Sequence, residues 1–141
     1  MIQLTKIFHF EMAHAIFGYQ GSCANIHGHS YELHVGVVAN QTQQDFIPSP
    51  GFLIDFKEIK SIVNETIIKL FDHKLLLSRH YLEHDPTLNH RKNLVLLDFE
   101  PTAENLLIFI QKELILKLPL DFKLNKLTLY ETKDSYAEWT V

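Results

Sequence analysis

His27-Gly28-His29-Ser30-Tyr31-Glu32-Leu33-His34-Val35-Gly36-Val37-Val38-Ala39 reads as one long strand. Successive side chains of a strand leave opposite faces, so His27, His29, Tyr31, Leu33, Val35 and Val37 share a side. The first ~14 residues alternate in the same way. There Phe8, Phe10, Met12 and His14 lie on one face, with Ile7, His9, Glu11 and Ala13 on the other. A loop with Gly18 and Gly21 joins the two strands, and each strand carries histidine at the end nearest that loop.

Working outward, Asp45 to Gly51, with Pro48 and Pro50, is a loop. Asp55 stands as a helix N-cap with Glu58 three residues on, a capping-box arrangement. Ile59, Ile62, Val63, Ile67 and Leu70 then recur at helical spacing. A second helix is expected from Pro101-Thr102, turning Leu106, Leu107, Ile110, Leu114 and Ile115 inward until Pro119 stops it. Two closing strands, Leu124 to Thr132 and Tyr136 to Val141, meet at the turn Lys133-Asp134-Ser135. The order strand, strand, helix, helix, strand, strand predicts an α+β fold. Its four-stranded antiparallel sheet has both helices packed on one face. Between the helices, Lys74 to Glu100 lacks a clear period; its length argues for short elements or a covering role.

The chain of 141 residues is expected to form a single domain, 1–141. A formal net charge of −4 does not support nucleic-acid binding through a broad basic field, although local lysines suffice for an anionic small molecule. One cysteine allows no internal disulfide, which suits a reducing compartment. The N-terminal residues lack the pattern of a signal peptide, and no apolar run reaches the ~20 residues of a membrane span, so a soluble cytoplasmic protein is expected.

His14, His27 and His29 are the candidate metal ligands. Zinc held by three nitrogens keeps a position for water or substrate; a fourth protein ligand closes the site. Cys23 leaves both readings open, as a fourth ligand or as a thiolate base beside the cation. Asp72 next to His73 can orient an imidazole, or the two can be a solvated acid and a dipole-favoured histidine at a helix end. Glu131, on the face of Leu127 and Leu129, needs a partner there. An amidine-like ring edge with two N–H donors would match its two oxygens, and a salt bridge to Lys126 or Lys133 is the plainer option. Glu104 reads as a dipole-compensating residue with Thr102 as the cap.

Taken together, these residues resemble a known family. His14 ending an aromatic-rich strand, Cys23-x-x-x-His27-Gly28-His29, Gly51-Phe52-Leu53-Ile54-Asp55-Phe56, Asp72-His73, Pro101-Thr102-Ala103-Glu104-Asn105 and Tyr130-Glu131-Thr132 occur in order over nearly the whole chain. They are similar to the 6-pyruvoyl-tetrahydropterin synthase / 6-carboxytetrahydropterin synthase family. The resemblance implies a tunnelling fold (T-fold), in which subunit sheets join into a barrel and two trimers stack as a homohexamer. By position it implies His14, His27 and His29 on Zn2+ and Cys23 as general base. Asp72 and His73 would complete a Cys–His–Asp set from a neighbouring subunit. Glu131 would hold the pterin ring, with Thr102 and Glu104 lining the pocket.

The implied substrate is 7,8-dihydroneopterin triphosphate, a small molecule, with neither nucleic acid nor membrane as partner. The expected activity is that of a zinc-dependent lyase yielding 6-carboxytetrahydropterin, acetaldehyde and triphosphate, on the way to 7-deazaguanine compounds such as queuosine. The alternatives are the 6-pyruvoyltetrahydropterin product and a non-catalytic zinc- or pterin-binding protein on the same fold. Cys23 argues against the folate-linked branch, which has glutamate in that region. Two departures stand out: Met12-Ala13 precede His14 where two alanines are usual, and the stretch after Asp72-His73 is longer than in compact members, with Leu76-Leu77 replacing Leu-Asn.

Overall fold

The computed structural model describes all of residues 1–141. Strand β1 (Gln3–His14) pairs antiparallel with β2 (His27–Ala39), and the register sets Phe10 against Tyr31, Met12 against His29 and His14 against His27. The first helical run begins at α1 (Phe56–Val63), where Asp55 accepts a hydrogen bond from Lys57 N at 2.8 Å. It continues through a π-helical turn (Asn64–Ile68) into a last turn, α2 (Lys69–Phe71). Next come β3 (Lys74–Ser78), a short helix α3 (Arg79–His84), a 3-10 turn (Pro86–His90) and β4 (Leu94–Leu97). Helix α4 (Ala103–Ile115), β5 (Phe122–Thr132) and β6 (Ser135–Thr140) close the chain.

The sheet has six strands in the order β4-β3-β1-β2-β5-β6. This corrects the expected four-stranded antiparallel sheet: β3 and β4 come from the unreadable segment and run parallel to β1 and to each other. The apolar runs Leu75 to Leu77 and Leu94 to Leu97 alternate too little to mark strands, as is usual where a strand is covered on both sides.

Both helices lie on one face, as their patterns predict. Phe8, Phe10, Met12, Tyr31, Leu33, Val35, Leu127 and Leu129 meet Ile59, Val63, Ile67, Phe71, Leu106, Ile110 and Leu114 in one buried cluster. The positions Ile59, Val63, Ile67 and Phe71 step by four residues. In a pure α-helix such steps drift by ~40° each. The wider π turn slows that drift, so Phe71 takes the inward place expected of Leu70. Ile115, expected inward, is half exposed, because it lies two turns beyond the equally exposed Ile108, on the outer face of α4.

Past α2, His73 adopts φ 60°, and its N–H donates to Glu11 O, so the chain turns straight into β3 alongside β1. Leu76 in β3 is completely buried within the main core. Replacing it with alanine is expected to lower unfolding stability by about 2–5 kcal/mol, read as a lower urea midpoint.

Candidate metal centre and cavity

The β1/β2 register delivers three imidazoles to one end of the helix-covered face. One nitrogen from each of His14, His27 and His29 lies within 4.8 Å of the others. His14 is buried and its Nδ1 is 2.7 Å from Pro101 O; His27 Nδ1 is 2.7 Å from Asn25 O. A carbonyl only accepts, so both Nδ1 atoms carry the proton and both Nε2 atoms present lone pairs. Those two Nε2 atoms stand 3.1 Å apart. Two bare nitrogens so close repel unless a cation sits between them. Tetrahedral zinc, with bonds of about 2.0–2.1 Å, sets its nitrogens ~3.3 Å apart. The donors and their carbonyl-fixed tautomers therefore fit a metal ion.

Burial lowers the pKa of His14, and the neighbouring His27 and His29 lower it further, against opposing contributions from Pro101 O and Glu131. The ring is thus kept neutral, the form that ligates.

Cys23 is exposed and stands outside the three-nitrogen set. It lies on a 3-10 turn (Ser22–Ala24) and faces a cavity of ≈ 220 Å³ shared with His14, Tyr19, Thr102, Glu104 and Glu131. Thr102 caps α4 by accepting from Asn105 N at 3.3 Å, so the cavity wall is the start of that helix. Glu131 lies on the core face: its Oε1 is 3.7 Å from His14 Nε2 and accepts from the Tyr31 hydroxyl at 3.4 Å. Neither lysine option for Glu131 is realised as an ion pair; Lys126 pairs with Glu138 at 2.9 Å.

Asp72 and His73 lie elsewhere. Asp72 Oδ1 accepts from Glu11 N at 3.0 Å and is 2.9 Å from His73 Nδ1. The Glu11 N–H, and then the His73 ring, hold the Asp72 carboxyl below the usual carboxylate range. His73 borders a separate groove with Glu11, Ala13, Gly28 and Ser30, on the side of the sheet away from the helices. The sequence thus nominates eight residues and the neighbouring Glu104, but one chain unites them in two groups.

Two further contributors escaped sequence reasoning. The Pro101 carbonyl that orients His14 is a backbone group with no sequence signal of its own. Tyr31 is 1% exposed, and burial, then the charge of Glu131, raises its pKa well above the ordinary phenol value, so it remains a hydroxyl donor. Its place two residues beyond His29 on the histidine face was the available signal.

A mixed sheet with two helices on one face and a three-histidine cluster beside a small cavity defines an α+β protein with a candidate metal site. The chain matches the family model for 6-pyruvoyl tetrahydropterin synthase over residues 3–140 and belongs to that family. It is 32% identical to a 6-carboxy-5,6,7,8-tetrahydropterin synthase of Rickettsia felis, over 98% of this chain and 99% of the relative. Among solved structures it is similar to an uncharacterized protein from Wolinella succinogenes (TM-score 0.79, 19% identity, 99% of this chain and 97% of that one). It is also similar to the 6-pyruvoyl tetrahydropterin synthase of Caenorhabditis elegans (TM-score 0.69, 19% identity, 99% and 95%). These likenesses establish the fold. No helix is long and apolar enough to cross a membrane.

Two outcomes are expected. Dialysed protein should retain one zinc ion per chain by elemental analysis, His27→Ala should lose it, and Cys23→Ala should keep it. In the metal-free protein, a lowered folded-state pKa means that the unfolded chain binds the His14 proton first as pH falls below the ordinary value of 6.5. Stability should therefore drop with falling pH below that value, and the fall in urea midpoint between pH 7.5 and pH 5.5 should be smaller in His14→Gln.

Proposed function

We propose that the protein is a zinc-dependent 6-carboxy-5,6,7,8-tetrahydropterin synthase. It converts 7,8-dihydroneopterin triphosphate and one water to 6-carboxytetrahydropterin, acetaldehyde and triphosphate. The observation that carries this reading is the convergence of three imidazole nitrogens beside a cavity that also receives Cys23 and Glu131. The Rickettsia relative of the same activity, similar over almost the whole chain, favours this product within the family.

Bound zinc supplies Lewis acidity toward the hydroxyls of the substrate side chain. Cys23, free of the ligand set, takes the proton from the adjoining carbon as general base. Glu131 offers two carboxylate oxygens to the paired N–H donors of the pterin ring, and the Tyr31 hydroxyl steadies it from below. Thr102 and Glu104, at the capped start of α4, line the same cavity and bound the ring.

Asp72 and His73 face away from the cavity of their own chain, so their proton-transfer role is assigned to the site of a neighbouring subunit. The conformation of His73 supports a use for its side chain: a non-glycine residue in the left-handed region costs roughly 1–2 kcal/mol, and glycine would make the turn more easily. This division of the site fits a cytoplasmic homohexamer, a dimer of trimers with sheets joined into a barrel.

Incubation of the zinc-loaded protein with 7,8-dihydroneopterin triphosphate, followed by mass analysis, is expected to yield acetaldehyde and the 6-carboxy pterin. A 6-pyruvoyl product would move the protein to the other branch, and an unconsumed substrate would refute the reading. Cys23→Ala should lower kcat at least ~100-fold with zinc retained, whereas Glu131→Gln should raise KM by about tenfold or more.

A further inference from the structure

The long segment after β3 leans on the loop that delivers Cys23. That loop, residues 15–26, has little internal structure. Ile16 N donates to Cys23 O at 2.9 Å, and the 3-10 turn around Cys23 has no side-chain cap and buries none of its residues. Besides the His27 ring, which donates to Asn25 O at 2.7 Å, its anchors come from the segment. The Tyr81 hydroxyl, on α3, donates to Ala24 O at 3.0 Å, one residue from Cys23. The Phe17 ring packs on His80 and His84, with centroids 6.2 and 5.6 Å away. Phe17 N donates to Glu100 Oε1 at 2.7 Å.

The platform beneath Tyr81 is firm. Ser78, 1% exposed, caps α3 by accepting from Tyr81 N at 3.1 Å. The Tyr81 and Leu82 side chains pack on the buried cluster of Ala15, Leu75, Leu77 and Leu88. A hydroxyl rooted in β3 and α3 thus reaches across to the loop side of the cavity. Loop residues Ile16, Tyr19 and Cys23 all line that cavity, while Tyr81 does not, so any effect of Tyr81 passes through the loop.

We propose that Tyr81 is a positioning residue: its hydroxyl, with Phe17 seated against α3, clamps the loop so that the Cys23 thiol is set against the cavity. The strand-helix-strand segment from β3 to β4 is then a brace for the active-site loop. The proposal rests on the reading of Cys23 as general base. A base must sit within hydrogen-bond reach of the proton it takes, and a displacement of ~1 Å costs up to ~100-fold in rate.

The test uses the full-length, zinc-loaded protein and Tyr81→Phe, which keeps the packed ring and removes only the donor. Amide hydrogen exchange over residues 16–25 should quicken about tenfold, with exchange elsewhere unchanged. Alkylation by iodoacetamide, which reports Cys23 alone because it is the one cysteine, should quicken as well. Zinc content and Tm should match the parent, and kcat should fall about tenfold with KM within about twofold. Phe17→Leu, which leaves the packing of Tyr81 intact, should move the same readouts in the same direction.

Unchanged exchange and alkylation in both variants would overturn the clamp. So would parent-like kcat despite a loosened loop, or losses explained by reduced zinc or reduced folded fraction in both variants. If the parent is inactive on the pterin, the proposed activity falls, while exchange and alkylation still decide whether Tyr81 holds the loop.

Discussion

Pairing of β1 with β2 in one register, with His14 opposite His27 and Met12 opposite His29, is the constraint on which the rest depends. A slip of one residue would turn every side chain of one strand to the opposite face. His14 would then leave the imidazoles of the other strand, and Phe8, Phe10 and Met12 would leave the helices. Core and histidine cluster are therefore two ends of one face. The hydrophobic burial that fixes the register also brings the His14 and His27 Nε2 atoms to 3.1 Å of each other.

Around that pair, the chain supplies restraints from distant places. The Pro101 carbonyl, at the threshold of α4, orients His14, and Asn25 O orients His27 from two residues away. Tyr31 carries the order of the core up to Glu131. The cavity is accordingly walled by regular structure on the side of the strands and α4, and by irregular chain on the side of the Cys23 loop. On that loop side the Tyr81 hydroxyl of α3 reaches Ala24 O, beside Cys23.

The two strands and their faces were legible in the sequence because period-two alternation is a local signal that burial on one face enforces. The helix starts were legible through Asp55 and Thr102, whose side chains cap as their positions suggest. The ends were less so. The π turn changes the phase of the first helical run, and α4 stops at Ile115, before Pro119. Strands β3 and β4 were illegible because a short parallel strand carries no alternation, and its partner strand lies many residues away in sequence. Within the site, the histidines, Cys23 and Glu131 were legible as residue types at suggestive spacings; the separation of Asp72-His73 from them was not.

By itself the sequence determined which side chains share a face, where helices begin, and that three histidines end two strands beside the only cysteine. These follow from backbone geometry repeating every two or every 3.6 residues. The tertiary structure alone decided that a carbonyl 87 residues away orients His14, that Asp72 and His73 turn to the opposite side of the sheet, and that Tyr81 reaches the peptide beside Cys23. Such contacts join segments remote in sequence, and they depend on the registers and packing of the whole sheet, which no local pattern encodes.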